Sequence, residues 1–562
     1  MRSRFSAPLS AVILAGSLLL GSSAAVASTE LLELRNTILN LVDELVAQGV
    51  ISAEKAEEMK RDAVLKAREQ AAQAALAAGD APEAQVPAQA ATGSGVVRVP
   101  YVPEFVKDQI RAEVREELRA DVTADVVELA REEKWGTPDA LPAWLSRISL
   151  NGDLRLRWSG LYQDSGNEPA VPNFQAINRA GGFLAAGENA FLSTTEDLNR
   201  GQLRFRLGLD AALSDELKVV ARLATGNDTD PTTRNQRLGN FNRSFDLYVD
   251  LAYAQWQPVL PGADHRLTLR GGRLPNPFEN TSLVFDDDLT FDGITTGYRG
   301  IPFAGGPALV ANLGGFALLA ESPNLLDGGT NDKYWWGGQL GLEFALATDW
   351  NLGVYGAWYD FINVTGRRNE PNSTSRNWTA PEFIAKGNTV FDISNDDNVN
   401  TQLYALASEF ELLNALIKLQ YTGFDPVHVT WRTDWVENRG FNAGDVAARV
   451  GEAVSKRNRG WFTQLEVGHP EVRGRGEWQV FGGYKYLQRD AVLDSFTDSD
   501  FHAGGTDAQG WLAGILFGVA PNAWMRARWL SADEIDGAPA GFGAPFAPLA
   551  IDVLQVDFNA KF

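Results

Sequence analysis

The sequence predicts an all-β transmembrane barrel of about 16 antiparallel strands, with a helical region before it. Three observations carry this. The chain opens on an export segment, most of it alternates apolar and charged residues with period two, and it ends on Phe562 after an alternating strand. Composition narrows the field further. There are 562 residues with 44% hydrophobic content and a net charge of −22, too apolar for a disordered chain. Cys is absent, which removes disulfide scaffolds, thiolate metal sites and thiol nucleophiles. A pI near 4.7 argues against a nucleic-acid partner.

Residues 1–27 read as a signal peptide. Arg2 and Arg4 form the basic region, Leu9 to Leu20 the apolar one, and Ala25-Val26-Ala27 the cleavage site. The apolar run is too short for a membrane helix, which needs roughly 20 residues. Residues 28–78 read as periplasmic helices. Leu31, Leu34, Ile38, Leu41 and Leu45 recur three and four apart, Gly49 stops the first helix, and Ser52 restarts a second. Residues 79–100 are a Pro/Ala/Gly linker. Residues 101–146 form a helical segment leading into the barrel, with Val106, Ile110, Val114, Leu118, Val122 and Val126 four apart. Such spacing drifts around a helix and does not hold a straight seam.

From residue 147 to 562 the period is two. Leu150, Leu154, Leu156 and Trp158 alternate with Asn151, Asp153, Arg155 and Arg157. Leu203, Phe205 and Leu207 alternate with Arg204 and Arg206, and the pattern continues through Arg222, Arg266 and Arg270. Segments of about ten residues with charge on one face suit a strand with lipid outside and water inside. A soluble sandwich has no use for charges at regular inner positions. Strands are expected near 148–161, 200–212, 217–226, 246–257, 265–273, 289–298, 308–321, 334–346, 350–361, 401–412, 415–422, 458–468, 475–488, 509–519, 523–532 and 551–562. Short turns are expected at 214–215, 261–264, 348–349, Leu413-Asn414, 469–470 and 521–522, with long connections between them. In this scheme 427–436 is a hairpin arm within a long outer loop, which keeps long and short connections alternating.

The final strand, IDVLQVDFNAKF, places Val556, Phe558, Ala560 and Phe562 on one face. A terminal Phe closing such a strand resembles the signal read by the outer-membrane assembly machinery. Trp158, Trp256, Trp350, Trp358, Trp461, Trp511, Trp524 and Trp529 fall near strand ends, where interfacial aromatics belong.

With WGTPDALPAWLSRISLNGDLRLR at 135–157, GRLPNPFENTSLVFDDDLTFDG at 272–293, the export segment, the helices and Phe562, the chain resembles the putative porin family of Gram-negative outer membranes. The resemblance covers essentially the whole mature chain. It implies a water-filled channel for passive diffusion of small hydrophilic solutes or ions, located in the outer membrane. It also implies outer-membrane lipid as a partner, and a homo-oligomer, trimeric as porins often are. No cofactor or metal is implied.

By alternation Arg155, Arg157, Arg204, Arg206, Arg222, Arg266 and Arg270 share an inner face, with Arg273 at the rim. On the lipid face each would cost roughly 2–4 kcal/mol near the midplane. The third outer connection, 274–288, carries Glu279, Asp286, Asp287 and Asp288. If it folds inward, acidic and basic walls oppose each other and set a transverse field. The competing readings of the Asp run are a solvated rim or a Ca2+ site, and Asp498-Ser499-Asp500 is a second Ca2+ candidate. An enzyme is not expected: His265, His428, His469 and His502 lie in or beside turns and loops without adjacent Ser motifs. The alternative function is structural, an envelope tether acting through the N-terminal helices.

Overall fold

The computed structural model describes residues 147–562, apart from 228, 262–264, 304, 321–331, 397 and 538–546. The expected signal peptide, helices and linker lie outside the described residues. Among the described residues a closed antiparallel barrel of 16 strands is formed. The strands are β1 (Ile148–Gln163), β2 (Leu198–Ala212), β3 (Leu217–Ala224), β4 (Tyr248–Trp256), β5 (Arg266–Pro275), β6 (Thr290–Gly300), β7 (Ala308–Leu319) and β8 (Lys333–Ala347). They continue as β9 (Trp350–Ile362), β10 (Phe410–Phe424), β11 (Val427–Asn438), β12 (Arg459–Gly468), β13 (Trp478–Leu487), β14 (Ala508–Ala520), β15 (Ala523–Glu534) and β16 (Ala550–Lys561).

Each strand pairs with its neighbours in sequence, and β1 pairs with β16 to close the cylinder. Trp158 lies opposite Val556 and Leu154 opposite Ala560. Long connections L1 to L8 leave one end, at 164–197, 225–247, 276–289, 320–332, 363–409, 439–458, 488–507 and 535–549. Short turns close the other end, where the last strand also finishes. A full barrel has no exposed strand edge, which is the condition for crossing hydrocarbon in extended structure.

The expected strand count stands, but two of the expected strands were wrongly drawn. Residues 410–424 form one strand, so no turn exists at Leu413-Asn414. The turn falls at Asp425-Pro426, and 427–438 is a full wall strand, not an arm of an outer loop. Asn414 read as a turn residue because it is polar between leucines. It points inward and donates to Asp434 Oδ1 at 2.6 Å and to the Trp435 carbonyl at 2.9 Å.

The outer wall is apolar in the way lipid requires. Leu150 is 68% exposed and Ile294 70%, alongside Leu313, Leu340 and Ile515. In water such a continuous band would be an association surface. Trp158, Trp256, Trp350, Trp358, Trp461, Trp511 and Trp529 are all exposed on it. Apolar packing also fills part of the interior, where L3 meets the inner face of β6 to β9. Outside the barrel mouth, L5 carries a small hairpin pairing Val390–Asp392 with Tyr404–Leu406. It packs on the L6 helix Ala443–Val450 through Phe391, Ile393, Phe441 and Val446.

Candidate functional site: the charged constriction

L3 has an apolar half and an acidic half, and the two do different things. Phe278, Leu283, Val284, Phe285 and Leu289 are buried against Leu274, Phe291, Phe316, Trp335, Tyr359 and Phe361. The Phe285 ring centroid lies 5.1 Å from Tyr359 and 5.6 Å from Trp335, in tilted or edge-on geometry. That is the favourable range for aromatic pairs. Polar ties fix the loop's position. Gln339 Nε2 donates to the Glu279 carbonyl at 2.7 Å, and its Oε1 accepts from the Glu279 amide at 2.9 Å. Thr281 Oγ1 donates to Asp434 at 2.6 Å. One side of the lumen is therefore plugged, and the acidic run that follows is held toward the opposite wall.

That wall is basic. Arg204 lies 2.9 Å from Asp288 and 3.0 Å from Asp153, while Arg206 lies 2.7 Å from Asp153 and 3.5 Å from Asp288. Arg157 grips Asp557 with two parallel bonds at 2.7 and 3.0 Å, the fork geometry in which such pairs are strongest. L7 also dips inward and meets L3. Asp286 accepts from the Ser499 amide at 2.9 Å and its hydroxyl at 3.0 Å, and Thr497 Oγ1 donates to the Leu283 carbonyl at 2.9 Å. Asp500 lies 3.2 Å from Arg157, accepts from Gln555 at 2.8 Å and is also paired with Arg528. Asp498 lies 3.1 Å from Lys485. The L7 aspartates Asp498 and Asp500 are thus engaged with fixed protein cations.

Between these walls lies a cavity of about 470 Å3. Seven guanidiniums line it (Arg155, Arg157, Arg204, Arg206, Arg432, Arg526 and Arg528) together with six carboxylates (Asp286, Asp287, Asp288, Glu466, Asp498 and Asp500). The expected residues divide accordingly. Arg155, Arg157, Arg204 and Arg206 come together with Asp286, Asp287 and Asp288, but the other expected arginines do not. Arg222 pairs with Asp250 at 2.7 Å, and Arg270 donates to Gln255 at 2.8 Å. Arg266 lies opposite Arg299, near the short-turn end. Arg273 stands at the loop end of β5, where its neighbour Leu274 is buried inside, so Arg273 lies on the outer side, 2.9 Å from Asp292. Glu279 is held through its backbone by Gln339 and does not line the cavity.

Arg526 and Arg528 were missed, although their signal was present. MRARW at 525–529 repeats the LRLRW of 154–158 and the LRFRL of 203–207. Arg432 lies on the strand that was read as a loop arm, which hid it; Glu466 lies on an expected strand, and its charge was passed over.

Above the constriction, L5 and L7 are laced by buried polar groups. Asp490 accepts from the Thr389 amide at 2.8 Å and hydroxyl at 2.6 Å. Asn388 Nδ2 donates to the Arg489 carbonyl at 2.6 Å and that of Val492 at 2.9 Å. Lys386 Nζ lies 2.6 Å from His502 Nδ1. Burial raises Asp490 to about 6. Burial and the neighbouring Asp490 charge raise Asp494 to about 7. Burial lowers Lys386 to about 8.

The profile of a family described as "Putative porin" matches residues 35–562. The chain belongs to that family. No curated protein matches the porin in sequence. Among solved structures, OprB of Pseudomonas putida at high pH is similar at 10% identity and a TM-score of 0.41, over 76% of this chain and 97% of that one. An anion-selective porin from Comamonas acidovorans is similar at 11% identity and a TM-score of 0.36, over 74% and 99% respectively. The porin forms an outer-membrane channel, and its fold and family point to a channel rather than an enzyme.

Proposed function

We propose that this porin admits small hydrophilic solutes by passive diffusion through the Arg-lined cavity, and that the opposed charges of L3, L7 and the β1, β2 and β15 walls set its selectivity. The observation that carries this is the near balance of seven guanidiniums and six carboxylates around one cavity. Balanced but separated charges give little net preference for one ion sign and a strong field across the opening. Low-dielectric walls, here the apolar L3 packing, focus that field. Residues 28–78 and 101–146 are proposed to lie in the periplasm and to help hold a homotrimer, since the Leu31–Leu45 seam suits a copy of itself. Phe562 is proposed to be the residue read by the assembly machinery. Planar-bilayer conductance of the refolded full chain tests the reading: stable steps with reversal potentials governed by the cavity charges are expected. A protein that inserts without conducting would refute it.

A further inference from the structure

The cavity charges are unequal in one respect. Arg157, Arg204, Arg206, Arg432 and Arg528 each have a carboxylate within ion-pair distance. Arg526 has none among the described residues, and its Nε is buried without a hydrogen-bond partner. Its guanidinium carbon stands 5.6 Å from the Phe481 ring centroid, which holds the side chain in place without neutralising it. On the acidic side Asp286 and Asp288 are engaged by Ser499 and Arg204. Asp287 is exposed and makes no hydrogen bond or ion pair among the described residues. Both line the same cavity, and Arg526 and Arg528 are the cations that bear on Asp287.

A cation and an anion on the lining of one cavity, neither held in an ion pair, select for a solute carrying both charges. A monoanion gains at Arg526 and loses at Asp287, and a monocation does the reverse. An uncharged solute gains little from either. Only a zwitterion aligns with the field and satisfies both groups, replacing part of the hydration it gives up. We propose that the constriction is a transit subsite for small zwitterions of the amino-acid type, with Arg526 receiving the carboxylate and Asp287 the ammonium group. This deepens the diffusion reading and rests on it.

Glycine and glycolamide test it, being isomers of one formula, the first zwitterionic and the second uncharged. In proteoliposome swelling with the full chain, glycine is expected to enter several-fold faster than glycolamide. Arg526→Gln and Asp287→Asn should each bring the ratio close to one, while Arg526→Lys should keep it. Retained heat-modifiable mobility shows that each variant folds. Equal rates in the wild-type protein, or a ratio unmoved in both neutralised variants, would overturn the proposal. Exclusion of both isomers would instead overturn the channel reading beneath it.

Discussion

Gly152 and Phe562 exchange backbone hydrogen bonds, with the Gly152 amide donating to the Phe562 carbonyl at 2.9 Å and the Phe562 amide to the Gly152 carbonyl at 3.0 Å. A side chain at residue 152 would meet the terminal ring, since a Cβ there lies 2.5 Å from Phe562 Cζ. The last residue of the chain is therefore seated on the first strand by a space that only glycine leaves. Gly152→Leu should loosen this seam by about 1–3 kcal/mol, the usual cost of overpacking. Unfolding of the refolded barrel in urea, followed by its heat-modifiable gel band, measures this. An unchanged midpoint would show that the ring simply swings aside.

Asp557 is the countercharge of Arg157 where the first and last strands meet. Asp557→Asn leaves a guanidinium with only Asp500 and should cost up to about 3 kcal/mol, at the low end for a broken buried pair because cavity water remains. Arg157→Met together with Asp557→Leu should recover most of that stability while moving the reversal potential. Both quantities come from one preparation.

Ion selectivity should follow the cavity and not the whole arginine ladder. Neutralising Asp286, Asp287 and Asp288 to Asn should shift reversal potentials toward anions, and Arg204→Ser should shift them toward cations. Arg270→Ser, paired with Gln255 away from the cavity, should move them little. The shifts should shrink in 1 M salt, where the screening length falls to about 3 Å. An Arg270 effect as large as that of Arg204 would relocate the constriction.

Phe285 is the centre of the aromatic packing that holds L3. Phe285→Ala should cost about 3–5 kcal/mol locally. Its readout is noisier open-channel current, because the acidic run loses its support. Quiet current in this variant would mean that the Gln339 and Asp434 ties hold the loop without the ring.

Asp494 gives the L5–L7 lacing a pH dependence. Its folded pKa is raised to about 7 from an ordinary 3.8, so stability falls as pH rises from about 4 to 7, where the unfolded chain is ionised and the folded one is not, and the full cost persists above 7. Asp494→Asn should therefore slow protease cutting in L7 several-fold at pH 8, with a benefit that shrinks as pH falls and disappears near about pH 4.

Much of this architecture was legible because a membrane barrel writes its two solvents into alternate residues. Leu154 and Leu156 had to face lipid, so Arg155 and Arg157 had to face the lumen. The same rule misled at Asn414, where an inward polar residue looked like a turn, while the true turn carried Asp425-Pro426. What alternation could not show is how far a loop reaches. Asp500 finds Arg157 across 343 positions of sequence, and nothing local to either residue announces the other. Nor does alternation reveal which inner charges neutralise each other. Arg204 and Arg526 look alike in sequence, yet one is held between two carboxylates and the other by none.

The Arg157–Asp557 fork has a consequence for the order of assembly. Its two halves lie on β1 and β16, separated by nearly the whole barrel in sequence and adjacent only after closure. In an open sheet Arg157 would lack both this partner and Asp500, which would keep only Arg528 and Gln555 on the last two strands. The two halves of the charged wall, β1 and β2 on one side and β15 and β16 on the other, are therefore joined in the same event that seals the cylinder. Closure thus completes the charged wall as well as the cylinder.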